Sequence, residues 1–148
     1  KTALRRLARE GFRDNEFVVD VSRSAEQGVQ RLAFDLLPHL LVLPPNEDVL
    51  RELAQVAGRS DDVGIARRYI GSIIEIDATM LDVVLEATGS VEEGVRRSAF
   101  EGVEENWDHV LSTWGSQRML EFLRMCEAKT SRRVSWIERL RTMKDDLG

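Results

Sequence analysis

Apolar residues recur at intervals of three and four positions along most of this chain, with charged and polar residues between them. Val95, Ala99, Phe100 and Val103, for example, fall on one face of a helix. This spacing predicts a series of amphipathic α-helices whose apolar faces pack against one another. Short polar stretches that contain serine separate several of the apolar runs, and they indicate where one helix gives way to the next.

These serine-containing stretches share a sequence pattern: serine, three residues, a small residue, an apolar residue, and arginine two or three positions later. The copies begin at Ser24, Ser60, Ser90 and Ser131, and the last copy is the weakest. A serine oxygen accepts hydrogen bonds from the unpaired N–H groups of a helical first turn, so we expect each serine to be an N-cap. Gln27 and Glu93 follow two of the serines at the spacing of a capping box.

A further apolar segment precedes three of the serines, at residues 49–57, 80–87 and 119–128. Gly58 and Gly89 follow the first two segments, and glycine readily adopts the left-handed conformation that commonly ends a helix. The predicted order of helix, short turn, serine and second helix therefore occurs three times in the sequence. Internal repetition of this kind predicts tandem structural units.

The recurring unit resembles HEAT and armadillo repeats over roughly residues 16–146. The resemblance implies an all-α, right-handed α-solenoid of stacked antiparallel helix pairs, with about seven or eight helices. It implies a single domain over residues 1–148, with units at approximately 1–43, 46–76, 77–105 and 106–148. Serine replaces the aspartate of the HEAT turn, and only Arg96 directly follows the apolar residue, so the repeat is divergent. A closed all-α bundle is the alternative architecture.

Several residues mark predicted helix boundaries. Residues 1–13 read as a short basic helix that ends near Gly11, and Pro38 is expected to kink or end the helix that follows Ser24. Asn46, after two prolines, is the predicted N-cap of the next helix, and Asp77 or Thr79 is the predicted cap between the second and third units.

Composition restricts the class of protein. The net charge is −5, and the single cysteine, Cys126, rules out an internal disulfide and is expected to be a buried, inert thiol. No apolar run is long enough to span a bilayer, and no signal peptide is recognisable. The chain opens on Lys1 and not on methionine, which predicts a segment of a larger protein. We expect an intracellular location, cytoplasmic or nuclear, and no secretion.

Catalytic signals are weak. His39 and His109 are the only histidines, and no nucleophile, phosphate-loop or metal-ligand spacing accompanies them. Adjacent acidic residues on a helix do not face each other, so the acidic pairs in this chain are poor general acid–base pairs. The sequence therefore predicts a protein without catalytic activity, metal or cofactor.

Two sets of residues are candidates for contact with a partner. The first is a row of arginines along the second helices of the units: Arg31, Arg67, Arg68, Arg96 and Arg97. We expect this row to bind acidic residues of another protein, or alternatively to pair with acids of neighbouring units. The second set is Trp107 and Trp114, seven residues apart in an insertion between repeats. They are expected either to anchor a peptide or helix, as tryptophan often does at interfaces, or to contribute to the core.

These features favour a non-catalytic scaffold for protein–protein interaction. Nucleic-acid binding through the basic ends of the chain is the first alternative, although acids at residues 101, 104, 105 and 108 interrupt the continuous basic stripe that a phosphate backbone requires. A helical regulatory domain attached to an enzyme elsewhere in a longer chain is the second alternative. No membrane partner is expected.

Overall fold

The computed structural model describes residues 1–88 and 92–148, without the side chains of residues 63 and 86–88. The described residues contain α-helices and no β-strand, so the predicted all-α class is confirmed. The helices are α1 (Thr2–Arg9), α2 (Asn15–Ser22), α3 (Gln27–Asp35), α4 (Leu37–Leu40), α5 (Glu47–Arg59), α6 (Val63–Asp77), α7 (Leu81–Thr88), α8 (Glu93–Glu105), α9 (Trp107–Trp114), α10 (Ser116–Glu127) and α11 (Ser135–Asp146). A 3₁₀ turn, Ala78–Met80, separates α6 from α7.

The eleven helical segments in the described part of the chain exceed the seven or eight that we expected. One reason is Pro38, which lacks an N–H group and clashes with a preceding helical turn. The helix after Ser24 accordingly ends at Asp35, and the short α4 begins at Leu37. The insertion between the third and fourth helix pairs adds a separate helix, α9.

The predicted N-cap role of the serines is wrong for the copies that the structure describes. Oγ of Ser24, Ser60 and Ser131 accepts a hydrogen bond from the backbone N–H two residues later, at 3.2, 3.1 and 3.2 Å respectively. These bonds close the turn before the helix, and each helix begins at least three residues after its serine. The predicted cap at Ser90 and the predicted helix end at Gly89 lie outside the described residues.

Several predicted boundaries are confirmed. Asn46 caps α5 by accepting hydrogen bonds from the backbone N–H groups of Asp48 and Val49. Asp77 caps the 3₁₀ turn by accepting a hydrogen bond from the N–H group of Thr79. Gly11 follows the end of α1 with a φ of 79°, a conformation that glycine adopts without strain.

The helices pack as consecutive pairs: α2 with α3, α5 with α6, α7 with α8, and α10 with α11. First helices contact first helices in the order α2, α5, α7 and α10, and second helices follow the order α3, α6 and α8. The last second helix, α11, reaches α8 through Trp136, whose ring centroid lies 5.6 Å from that of Phe100. Two layers of helices therefore run along the chain.

The core lies between the two layers and contains the apolar faces that the sequence pattern predicts. Phe34 of α3 contacts Tyr69 of α6 with ring centroids 5.3 Å apart, which joins the first two pairs. Cys126 is fully buried, as expected, and burial raises the pKa of its thiol. Gly102 of α8 lies against Ile74 of α6, where the absence of a side chain permits close approach of the helices. Within the described residues, no helix is both long and apolar enough to cross a membrane.

Candidate protein-binding surface

The exposed side of the second helices carries four of the five arginines that the sequence singled out. Arg31 lies on α3, Arg67 and Arg68 on α6, and Arg97 on α8, and all four are exposed. We call this side of α3, α6, α8 and α11 the second-helix face. The fifth arginine, Arg96, lies in the interior.

Two ion pairs cross from α3 to α6 on the second-helix face. Nε of Arg31 donates to Oδ2 of Asp62 at 2.6 Å, and Nη1 of Arg68 donates to Oδ2 of Asp35 at 2.5 Å. The hydrogen bond from Arg31 holds the pKa of the Asp62 carboxyl below its ordinary value, against the opposing effect of desolvation. For these two arginines, the expectation that they pair with acids of a neighbouring unit is confirmed.

A second group of ion pairs links α8 with α11. Nε of Arg97 donates to Glu101 of the same helix at 2.8 Å. Arg139 of α11 donates to Glu104 at 2.9 Å and lies 3.8 Å from the carboxylate of Glu101. Glu101 therefore lies between two guanidinium groups, and the basic side chains on this part of the surface are largely neutralised.

Arg67 differs from its neighbours because it forms no ion pair with any described residue. Its guanidinium group extends from α6 to α8 and lies on Gly94, a residue near the start of α8. A Cβ atom at position 94 would lie 2.1 Å from Nη2 of Arg67, so only glycine leaves room for this arrangement. Arg67 is thus an exposed positive charge, held in place by packing, between the two groups of ion pairs.

The structure places Arg96 away from the surface that the sequence predicted for it. Arg96 is only 2% exposed, and its Nε atom donates to Oγ1 of Thr130 at 3.0 Å. The register of the repeat explains this position. Arg96 is two residues after Gly94, where the earlier copies have the half-buried Gln30 and the buried Ala66. Arg96 therefore has a structural role between the third and fourth helix pairs.

The same register groups three of the four exposed arginines. Arg31, Arg67 and Arg97 each lie three residues after the glycine of their copy. This position faces solvent in all three copies.

The two tryptophans of α9 have different surroundings. Trp114 is 9% exposed, and its Nε1 atom donates to the carbonyl oxygen of Thr79 at 2.6 Å. Its ring contacts Phe122 of α10, and the guanidinium of Arg118 lies 4.9 Å from the ring centroid. Trp114 therefore belongs to the core that joins the third and fourth pairs. Of the two expectations for this residue, the one confirmed is its contribution to the core. Trp107 packs against the core but remains partly exposed.

Sequence reasoning missed the acidic partners of the arginines and two ion pairs in the first-helix layer. Arg23, immediately after α2, contacts Glu52 of α5 at 2.9 Å, and Arg118 of α10 contacts Asp82 of α7 at 2.6 Å. The residues in each pair are 29 and 36 positions apart respectively, which is close to the spacing between copies of the repeat. A search for opposite charges one repeat apart would have detected both.

The basic ends of the chain are partly neutralised. Besides Arg139, the basic residues Arg141 and Lys144 of α11 are paired, both with Glu127 of α10. The remaining basic residues of this end lie in the exposed connection between α10 and α11 and form no ion pair with a described residue: Lys129, Arg132 and Arg133.

Clustered chemical groups are sparse in the part of the chain that the structure describes. No group of three or more histidine, cysteine, aspartate or glutamate residues there is arranged to hold a metal ion. His39 lines a groove beside α1, and His109 is exposed on α9.

No protein-family model, no curated protein and no solved structure matches this chain. The features that bear on its function are therefore those of its own surface.

Proposed function

We propose that this chain is a divergent helical-repeat domain of HEAT or armadillo type that binds another protein through the second-helix face. The observation that carries the proposal is the regular contact between consecutive helix pairs. Side-chain hydrogen bonds between neighbouring pairs join residues 29–38 positions apart, from Arg23–Glu52 to Ser72–Phe34. In a stack of repeats, each unit contacts only its neighbours, which confines contacts to about one repeat length.

The pattern of helix contacts supports an open stack over a closed bundle. In the described part of the chain, no extensive contact joins any of α1–α4 with any of α8–α11. A closed bundle would bring its first and last helices together around one core. An open stack instead leaves an extended surface along each layer of helices, and such surfaces bind protein partners in repeat proteins.

Arg67 is the proposed centre of the interaction. It offers a positive charge without a carboxylate partner among the described residues, and arginine is common among residues that dominate binding energy. The flanking ion pairs of Arg31, Arg68 and Arg97 are exposed, and exposed pairs contribute only about 0–1 kcal/mol each. These arginines can therefore leave the acidic residues with which they pair in the chain and pair with carboxylates of a partner at little cost. The proposed partner carries acidic residues along the segment that it presents.

Charge reversal at Arg67 tests this proposal. Immobilised wild type, Arg67→Glu and Arg124→Glu are incubated with a lysate of the cells that naturally make the protein, and retained proteins are quantified by mass spectrometry. Arg124 is the matched control, because it is exposed on a first helix and forms no ion pair with a described residue. We expect wild type and Arg124→Glu to retain one or more proteins that Arg67→Glu does not retain. Equal losses with both variants would contradict the proposed surface.

Native-state hydrogen exchange tests the architecture independently. Leu140 is fully buried in α11, and Leu140→Ala is expected to destabilise its surroundings by about 2–5 kcal/mol. In an open stack, faster exchange should be confined to α10 and α11 and their immediate neighbours, while α2 and α3 keep wild-type protection. Uniformly faster exchange through all helices would favour a closed, fully cooperative bundle.

Nucleic-acid binding is a second candidate function, favoured by one observation. Lys129, Arg132 and Arg133 form an exposed cluster without ion pairs to described residues. Titration of a fluorescent duplex and a single strand across a salt series tests it. Tight binding that weakens steeply with salt and is lost in an Arg132→Glu/Arg133→Glu variant would support this candidate. Absence of binding at low salt would exclude it.

A further inference from the structure

A groove lies beside α1 at the start of the chain. It encloses a volume of about 540 Å³ and is lined by Arg5, Ala8, Arg9, Leu36 and His39. Most of its lining surface is apolar, and it is open to solvent along one side. Its volume lies within the range of about 300–1,000 Å³ that is usual for ligand pockets.

The spacing of residues on α1 directs one face of this helix into the groove. Arg5, Ala8 and Arg9 are three and four positions apart, and residues at these intervals lie side by side on a helix. Leu4 is buried beside them, and α1 packs against α4, which carries His39. The groove is therefore built by two elements whose relative position is fixed by core packing.

The charged side chains that are known to line the groove, Arg5 and Arg9, are both basic. Arg5 and Arg9 form no ion pair with any described residue, although Arg6 on the same helix pairs with Glu10 at 3.1 Å. None of the described residues that line the groove is acidic. Two permanent positive charges and an imidazole thus lie beside the apolar residues Ala8 and Leu36, and no described lining residue supplies a carboxylate to neutralise them.

We propose that this groove binds an acidic peptide segment in which an apolar side chain lies between carboxylates. The apolar side chain would cover Ala8 and Leu36, and the carboxylates would pair with Arg5 and Arg9. A peptide of this chemistry fits better than a nucleic acid, because a phosphate backbone has no apolar group to place on these two residues. The site is separate from the second-helix face, and the proposal is independent of the function proposed for that face.

Fluorescence anisotropy with a defined probe tests the proposal. The probe is a short labelled peptide with two leucines flanked by aspartate and glutamate. One analogue replaces the acids by asparagine and glutamine, and another replaces the leucines by serine. We expect wild type to bind the acidic probe and to bind both analogues at least about tenfold more weakly. Backbone amide shifts of Ala8, Leu36 and His39 in NMR spectra should report the site.

Variants of α1 complete the test. Arg5→Glu/Arg9→Glu should weaken binding of the probe at least about tenfold, and Arg5→Gln/Arg9→Gln should weaken it less. Arg6→Glu, on the outer side of the same helix, should bind as wild type does. The proposal is overturned if wild type does not bind the probe, if Arg6→Glu weakens binding equally, or if an oligonucleotide of equal charge binds more tightly than the probe.

Discussion

Arg67 and Gly94 meet at the boundary between α6 and α8, with the guanidinium group lying where a side chain at position 94 would otherwise be. The Nη2, Cζ and Nε atoms of Arg67 lie 2.1, 2.8 and 3.0 Å from the position of a Cβ atom on Gly94. Glycine at this position therefore determines where the proposed binding residue lies. Because the contact involves the far end of a flexible side chain, a methyl group would displace Arg67 and leave the helices in place.

Gly94→Ala should accordingly move Arg67 without unfolding the protein. Alanine is favoured over glycine in helices by up to about 1 kcal/mol, so the free energy of unfolding should stay constant or rise. The NMR signal of the Arg67 Nε–H group should shift, and binding of an Arg67-dependent partner should weaken. Gly71→Ala is the control, since a Cβ atom at that exposed position of α6 would meet no described atom within 4 Å apart from the adjacent backbone of its own helix. An unchanged Arg67 signal in Gly94→Ala would contradict the described contact.

Gly102→Ala should have the opposite effect on stability. A Cβ atom there would lie 2.5 Å from Cδ1 and 2.7 Å from Cγ1 of Ile74, in the buried contact between α8 and α6. Overpacking of this kind typically costs about 1–3 kcal/mol, which urea denaturation would measure. The combination with Ile74→Ala should cost less than the sum of the single changes, because the second change removes the clashing atoms. Additive costs would show that the clash is not the cause.

Trp114→Phe should lower the free energy of unfolding by about 1–3 kcal/mol, because it leaves the buried carbonyl of Thr79 without its hydrogen-bond donor. Trp107→Phe provides the comparison, since Trp107 is partly exposed and donates no hydrogen bond to a described residue. Its cost should be below about 1 kcal/mol. Chemical denaturation followed by circular dichroism would measure both, and equal costs would contradict the structural role assigned to Trp114.

Local signals in the sequence predicted much of the helix layout. Some residues affect the backbone only within a few positions, so their effects follow from the neighbouring sequence alone. Examples are Gly11, Pro38 and the N-cap Asn46. The apolar period likewise predicted the shared burial of Ala99, Phe100 and Val103. The repeat pattern was less informative about caps, because a serine can close a turn before a helix as readily as it can cap the helix.

The environment of each arginine could not be predicted from its own neighbours in the sequence. Arg31 and Arg67 occupy the same position of the repeat, yet the first has Asp62 within reach and the second has Gly94. The difference depends on which residue of the next helix pair lies beside each arginine, and that is set by how the helices pack. The burial of Arg96 was predictable only from an alignment of the copies, in which Arg96 occupies the position that is equivalent to the buried Ala66.

Thr130→Val should destabilise the protein by about 1–3 kcal/mol, since it removes the hydroxyl that accepts a hydrogen bond from the buried Nε atom of Arg96. Valine keeps the shape of threonine, so the loss of the hydroxyl is the main change. Thr142→Val is the matched control, because Thr142 is exposed and its hydroxyl donates to the carbonyl of Glu138 in the same helix. Thermal denaturation should show a change within about 0.5 kcal/mol for the control.

Glu127 should contribute to the acid sensitivity of the last helix pair. Hydrogen bonds from Lys144 at 2.6 Å and from Arg141 at 3.1 Å lower the pKa of its carboxyl from the ordinary value of 4.5, against the opposing effect of desolvation. A carboxyl whose pKa is lower in the folded state stabilises the protein above its unfolded-state pKa, and this contribution is lost as the pH falls through the folded-state value. The contribution should be about 1 kcal/mol or less, because the ion pairs are partly exposed.

Glu127→Gln should therefore reduce stability at neutral pH and make the remaining stability less dependent on pH below 4.5, the ordinary pKa of this carboxyl. Urea denaturation over a pH series would measure the effect. Glu121→Gln is the control, since Glu121 is exposed on the same helix and forms no ion pair with a described residue. This control should keep the pH dependence of wild type. If Glu127→Gln also keeps it, the bonds from Lys144 and Arg141 do not persist in solution, and α11 is held to α10 by its apolar face alone.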